Sequence, residues 1–476
     1  MTTDEAYGIS LAQTIVNHFH IIWAGENASN TGFYMGPFWA YFTAFWLFIL
    51  KGNLIYLSYI GGTIGVITTV FVFITGKKLF NLKVAVIVGL LYASLPLIVF
   101  FDHRYWIVSP VPLLSVLIVL SLYQVRTAPK WLIVTAIAYG LVFHTHLSLA
   151  PLGLPIAYFI YLDRKALLKA KRTLLLSLLT FLIVISPLIV FDYYHKGSNL
   201  LTPFRIKNSV DKKHDNIDPT EHLDDIFRTL SRLWYLSPDR VVADEVLYAC
   251  SPFYAPQRAH TPGLTTSRSL PITGISFFSA IILGCFLIRR RTWKDRNTKA
   301  IGLSLVTIYT AYLLFPMVPL DYYLLGSFPL FLFVPAVLAT VSSPPLRKGF
   351  WTIIIIFITL GIYTVISDSG SYGLQTKINL VKKVSALIGS DKFEIREEGN
   401  CQTNGGWRQV FKRFGKSPGR APADLSVGYL YPEEIDKGKL RYRVVIFETR
   451  ITPNNRKLDA NVVEDGGFWA EVGKNW

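Results

Sequence analysis

The sequence predicts an all-α polytopic membrane domain of about ten transmembrane helices with interfacial helices beside it, followed by a small soluble α+β domain. Three observations predict this. Of the 476 residues, 51% are hydrophobic and only 17% charged, where a soluble domain carries about a quarter charged residues. Apolar stretches long enough to span or nearly span hydrocarbon recur as far as Ser367. Beyond Ser367 no such stretch occurs, and turn-formers (Asn400, Gly405-Gly406, Gly415, Pro418-Gly419) multiply instead. The net charge of +17 sits mostly in short connections between apolar runs, which is a topology signal and argues against a nucleic-acid-binding face.

Taken in order, residues 1–53 form an acidic loop with membrane-skimming helices. Within it, 4–22 is an approach segment, 25–31 a polar linker, and 33–50 an aromatic-rich helix with Pro37 in its first turn. The transmembrane domain covers 54–367, with spans at 54–75, 84–101, 105–124, 131–143, 147–162, 173–191, 271–288, 299–317, 321–342 and 349–367 and a long loop at 192–270. Residues 368–476 form the soluble unit, opened by an amphipathic helix at 374–389 and carrying strand-like alternation at 392–396 and 441–448.

The connections alternate in character. Lys77, Lys78 and Lys83; Arg126 and Lys130; Arg164 through Arg172; Arg289 through Lys299; and Arg347 with Lys348 are basic and belong on the cytoplasmic side. Between them fall Asp102-His103-Arg104, the His144-Thr145-His146 break, the 192–270 loop and Asp321-Tyr322-Tyr323, which belong outside. This threading holds only if 33–50 lies in the interface and does not cross. It places the amino terminus and the soluble domain outside a cell membrane. No basic n-region and apolar h-region precede Asp4, so a first membrane helix encoded upstream is expected. Cys250 and Cys401 fall on the same side and could form a disulfide, whereas Cys285 lies in an apolar run as inert packing.

The residue types that carry chemistry lie in the outside connections. Asp4 and Glu5 open a helix-like stretch; a carboxylate there suits a general base, and it equally suits a helix amino terminus capped by Thr2 or Thr3. Asp102, His103 and Arg104 compress an acid, an imidazole and a guanidinium into one hairpin. Arg104 suits a phosphate and Asp102 an acceptor or sugar, against a reading as a solvated span end. His144 and His146 interrupt an apolar run. They form either a helix break lining a polar cavity or half of a metal site, and a divalent cation is the one cofactor the sequence leaves open. Asp321, Tyr322 and Tyr323 mark a span entrance, where the tyrosines reach a lipid phosphate or sugar or form an aromatic belt. Gly61-Gly62-Thr63-Ile64-Gly65 lacks the lysine of a phosphate loop and reads as close helix packing. The segment with His214, Asp215, Asp218, Glu221, His222, Asp224 and Asp225 reads as a solvated loop folding over the site.

The order of these pieces resembles a known group. An acidic Asp4-Glu5-Ala6-Tyr7, a Gly36-Pro37-aromatic helix, Gly76-Lys77-Lys78-Leu79-Phe80 closing a span and the Asp-His-Arg hairpin resemble the protein mannosyltransferase and aminoarabinose transferase group. These are GT-C membrane glycosyltransferases of family 39 type. His144-Thr145-His146-Leu147-Ser148 and the 321–329 segment look like that group's mid-chain and late-span pieces. The resemblance covers about residues 1–370 and implies an inverting transfer of a sugar from a polyprenyl-phosphate donor to an acceptor glycan, lipid or protein at the external membrane face. It implies that Asp4 is the base, with Glu5 and Asp102 as companion acids. A lipid-linked saccharide flippase and a non-catalytic membrane scaffold are the competing readings; the flippase ranks lower because no internal repeat is evident.

Overall fold

The computed structural model of the protein describes residues 3–28, 32–202, 219–236, 270–314, 321–367, 373–397, 405–448 and 461–474; of Asp4 it describes the backbone only. The amino-terminal helices are α1 (Thr3–His18) and α2 (Phe38–Ile49). The apolar region follows as α3 (Leu54–Leu79), α4 (Leu82–Ser94), α5 (Pro96–Asp102), α6 (Val111–Gln124), α7 (Trp131–Thr145), α8 (Gly153–Leu162), α9 (Arg164–Lys169) and α10 (Lys171–Tyr194). It continues as α11 (Pro219–Trp234), α12 (Leu270–Ile288), α13 (Arg290–Lys294), α14 (Arg296–Leu313), α15 (Phe328–Val341) and α16 (Pro344–Ser367). The last part holds α17 (Leu374–Ile388), β1 (Phe393–Glu397), α18 (Gly405–Phe414), α19 (Asp424–Val427), β2 (Tyr442–Glu448), β3 (Asn461–Asp465) and β4 (Phe468–Lys474).

Among the described residues four helices are long and apolar enough to cross a membrane, or five when the bent pair α4 and α5 counts as one span; shorter apolar helices fill the rest. The centre of the bundle is the segment Asp321–Val341, 89% of whose apolar window is buried. Its Phe331, Phe333 and Val334 have no exposed surface.

Four expected spans are not continuous helices, and each departure has a local cause. The 84–101 span bends by 67° between α4 and α5. Pro96 lacks an N–H and drives Leu95 to extended backbone (φ −72°, ψ 124°). The 105–124 span becomes helical only at Val111, after Pro110. The turn before it is tied by Ser109, whose hydroxyl accepts from the Trp106 amide at 3.1 Å and donates to the Arg104 carbonyl at 2.8 Å. The 147–162 and 321–342 spans each open with a tight 3-10 segment, Leu147–Leu152 and Asp321–Ser327. Irregular backbone inside a membrane domain persists only where protein or a cavity satisfies it. Three of these breaks, before Val111, at Leu147–Leu152 and at Asp321–Ser327, adjoin or contain segments singled out for their polar chemistry.

Several basic connections meet at one end of the bundle. Arg296, at the start of α14, grips Asp163 at the end of α8 with both terminal nitrogens (3.0 and 2.5 Å) and donates to the Leu122 carbonyl of α6 at 2.9 Å. Asn297 donates to the Leu79 carbonyl of α3.

The carboxy-terminal unit is a four-stranded sheet, order β1-β2-β4-β3, with β1 parallel to β2 and the other pairs antiparallel. Helix α17 and strands β1 and β2 lie where the hydrophobic pattern places them. The β3–β4 hairpin, turned at Gly466 (φ +53°), was not foreseen. Val381, Val384, Phe393, Phe411, Val444 and Ala470, all without exposed surface, fill its core. This unit holds α1: Gln409 donates to the Ser10 hydroxyl at 2.8 Å, Gln13 donates to Gln409 at 3.3 Å, and the Tyr7 and Tyr429 hydroxyls lie 2.9 Å apart.

One expectation is overturned here. The segment that includes His222, Asp224 and Asp225 is not a solvated loop: it is α11, with Ile226, Leu230, Leu233 and Trp234 buried in the main core. Apolar residues at helical spacing outweigh the acidic composition. His214, Asp215, Asp218, the Glu221 side chain, Cys250 and Cys401 lie outside the described residues, and with them the disulfide expectation.

Candidate active site

The amino-terminal helix delivers Glu5 to the Asp-His-Arg hairpin. Glu5, 8% exposed, receives the Arg104 Nε at 3.0 Å, and the Arg104 guanidinium lies 4.1 Å from the centre of the Trp106 ring. Asp4 is the residue before Glu5 on the same helix. Asp102 ends α5, where its Oδ1 accepts from the Tyr92 hydroxyl at 3.3 Å, and His103 is exposed beside it. The hairpin fits against α3 because α3 is thinned there. A Cβ on Gly61 would lie 2.7 Å from the Arg104 carbonyl oxygen, and one on Gly65 would lie 2.6 Å from the Asp102 Cβ and Oδ2. The glycine run therefore packs closely, as its composition indicated, and what it packs against is the acidic hairpin. From α2, the Trp39 ring lies tilted against Tyr105 at 4.9 Å and Thr43 bonds the Tyr105 hydroxyl at 3.0 Å.

From Arg104 an aromatic path runs into the bundle. Trp106 meets Tyr322 edge-on at 5.3 Å, Tyr322 meets His146 at 5.7 Å, and His146 stacks on Tyr323 at 5.2 Å. Tyr323 is 6.5 Å from Tyr312, whose hydroxyl donates to Asp225 on α11. Asp225 also accepts from Arg228 at 2.6 Å, and Arg232 pairs with Asp321 at 2.7 Å, both partners buried. Among the groups outside the spans, Tyr7 has its hydroxyl pushed well above the phenol range, by burial first and then by the Tyr429 hydrogen bond and charge, so it serves as a neutral donor or acceptor.

Glu5, Arg104, His146, Tyr322 and Tyr323 thus come together along one continuous path, with the exposed His103 in the same turn as Arg104 and Asp102 turned to Tyr92 and α3. Two candidates stand differently. His144 accepts from the Phe38 amide at 3.3 Å through Nδ1 and donates from Nε2 to the Val184 carbonyl at 2.7 Å. It pins α2, α7 and α10 together, and both of its nitrogens are engaged by protein. Asp321 neutralises Arg232. His144 and His146 are engaged by different elements, and among the described residues no three His, Cys, Asp or Glu side chains converge as for a metal ion. The sequence reading missed Trp106, Tyr312, Arg228 and Arg232, and assigned His222 and Asp225 to a solvated loop. The signal for α11 was its apolar spacing, Leu223, Ile226, Phe227, Leu230, Leu233 and Trp234.

A cleft of about 380 Å³ opens next to α1, at the turn between α2 and α3 and under α18; Gln13, Lys51, Gln409, Lys412 and Arg413 supply its polar wall and Val16, Leu47 and Phe48 its apolar one.

No family model matches the sequence, and no curated protein matches it. Among solved structures the chain is similar to ArnT from Cupriavidus metallidurans bound to undecaprenyl phosphate, with a TM-score of 0.58 and 10% identity over 98% of this chain and 93% of that one. The fold is GT-C-like. The apo state of the same ArnT matches with a TM-score of 0.57 at 11% identity over the same shares. The oligosaccharyltransferase of Archaeoglobus fulgidus in its apo form follows at 0.49 and 13%, over 93% of this chain and 65% of that one.

Proposed function

We propose that this protein is an inverting glycosyltransferase that moves a sugar from a polyprenyl-phosphate donor to an acceptor hydroxyl or amine at the external face of the cell membrane. The observation that carries the reading is the Glu5–Arg104–Trp106 contact, which sets an acidic helix, a cation and an aromatic path side by side in a GT-C-like fold. The similar ArnT structure holds undecaprenyl phosphate, and a lipid phosphate of that kind suits the Arg104 guanidinium of the hairpin here. The separation of the basic end around Arg296 from the polar end around Arg104 supports the sidedness. So does the length of α2, whose 12 residues reach about 18 Å, short of the ~30 Å hydrocarbon layer. On this threading the carboxy-terminal unit is external as well.

In the reaction Asp4 takes the acceptor proton as the acceptor oxygen or nitrogen attacks the anomeric carbon from the side opposite the phosphate. The carbon–oxygen bond to phosphate breaks, and polyprenyl phosphate leaves as a stable anion that needs no acid catalyst. Arg104 and the Tyr322 and Tyr323 hydroxyls stabilise its charge. Glu5 keeps Arg104 in place, Asp102 orients the sugar or acceptor, and His144, His146 and Asp321 hold the elements that form the site. The cleft beside α18 is where the acceptor approaches.

Asp4→Asn in proteoliposomes is the direct test. Transfer falls by about 10²- to 10⁴-fold, the range of general-base catalysis, with donor binding retained. Unchanged turnover removes Asp4 from the mechanism, and movement of lipid across the vesicle without a new glycosidic bond identifies a flippase.

A further inference from the structure

His222 is the group the mechanism leaves unused. It is 1% exposed, and among the described residues neither Nδ1 nor Nε2 has a hydrogen-bond partner. A buried polar atom without a partner destabilises the fold. Tyr312 meets the His222 ring edge-on at 5.2 Å and donates to Asp225, and Asp225 and Asp321 are matched by Arg228 and Arg232. Those carboxylates and guanidinium groups fix the polar surface of α11, and the imidazole stands among them unsatisfied. Through Tyr312 and Tyr323 it joins the path that leads to Arg104.

We infer that His222 is a specificity-determining contact for the sugar of the lipid-linked donor, its two ring nitrogens bonding sugar hydroxyls; this rests on the transferase reading above. The chemistry selects the ligand class. A neutral imidazole offers one donor and one acceptor, and a hydroxyl can answer either one. A phosphate in its ionised form only accepts, so it satisfies one nitrogen and leaves the other buried and bare. A carbohydrate with neighbouring hydroxyls satisfies both. A site built this way discriminates strongly against a sugar lacking the matching hydroxyl, because the orphaned nitrogen is left buried.

The test uses the full chain in detergent, with thermal shifts measured against decaprenyl phosphate and against decaprenyl-phosphate mannose, glucose, galactose and arabinose. In the wild type, at least one sugar-bearing lipid raises the melting temperature beyond the bare lipid. His222→Leu, of similar volume and without polar atoms, melts at or above the wild-type temperature without lipid, keeps the shift from bare decaprenyl phosphate, and loses the additional shift from the sugar. His222→Gln, which restores one donor and one acceptor, recovers it. Loss of a hydrogen-bonded contact of this kind weakens the sugar-bearing lipid by about tenfold. If His222→Leu retains the sugar-dependent shift, water or packing occupies the site and the inference falls while the transferase reading stands. If His222→Leu loses the bare-lipid shift equally, the contact is to phosphate and the sugar assignment is wrong. If neither lipid class shifts the wild type, the transferase reading and this inference fall together.

Discussion

Alanine at Gly65 tests whether the acidic hairpin depends on its close seat against α3. A Cβ there would lie 2.6 Å from both the Asp102 Cβ and its Oδ2, about 0.9 Å short of an ordinary ~3.5 Å contact. Asp102 cannot swing freely, because Tyr92 holds its Oδ1 at 3.3 Å and α5 begins at Pro96 only six residues before it. A displacement approaching 1 Å at a positioning carboxylate costs about 10²-fold in rate, equivalent to about 2.7 kcal/mol in the barrier. Overpacking adds about 1–3 kcal/mol of destabilisation. Gly62 is the internal control on the same helix: a Cβ there meets nothing nearer than the His103 Cδ2 at 3.9 Å. Gly62→Ala should therefore leave turnover within about twofold, and gains up to ~1 kcal/mol of helix stability. Sugar transfer by the two variants in proteoliposomes, with melting temperatures recorded in parallel, decides the matter. Wild-type turnover by Gly65→Ala, or equal losses in both variants, refutes the argument that the glycine seat positions Asp102.

Two further outcomes follow from contacts distant from the reacting atoms. His144→Ala leaves the Phe38 amide and the Val184 carbonyl without their partner, so thermal stability should fall by at least about 2 kcal/mol, read as a lower melting temperature; a fall no larger than that of a surface substitution would show that the bridge contributes little. In the carboxy-terminal sheet, burial pushes Glu394 upward, but the Arg443 hydrogen bond and the charges of Arg396, Arg443 and Arg420 outweigh it and hold the carboxyl below its ordinary range. Its stabilising pair with Arg443 at 2.6 Å is therefore fully present above the unfolded carboxylate range and is lost as pH falls through the lower folded value. Hydrogen-exchange protection of the β1–β2 pair should drop in that acidic window, and Glu394→Gln should flatten the dependence; an identical profile in the variant would assign the acid sensitivity elsewhere.

Membrane residence was legible because lipid demands a bulk property, and apolar runs with basic ends display it at every span. The amphipathic helix at Leu374–Ile388 was legible for the same reason, since its period alone names the buried face. The breaks within spans were harder to read. Pro96 and Pro110 signalled them, yet the hydropathy of 84–101 and 105–124 runs straight through both positions. Helix α11 was misread because its acidic residues suggest solvent, whereas in the fold Asp225 and Arg232 are buried with partners contributed by α11 itself and by the segment at Asp321.

The sequence by itself determined the solvent of this protein, the approximate course of its spans and the set of polar residues set apart from the basic connections, because each of these depends on composition over a local window. Tertiary structure alone decided which of those residues meet. Glu5 finds Arg104 across 99 positions of chain, and Arg232 finds Asp321 across 89. The same long-range packing gave both nitrogens of His144 to neighbouring backbone and left both nitrogens of His222 without a partner among the described residues. No local pattern could distinguish those two histidines, since the difference lies in which backbone the fold brings within hydrogen-bonding reach.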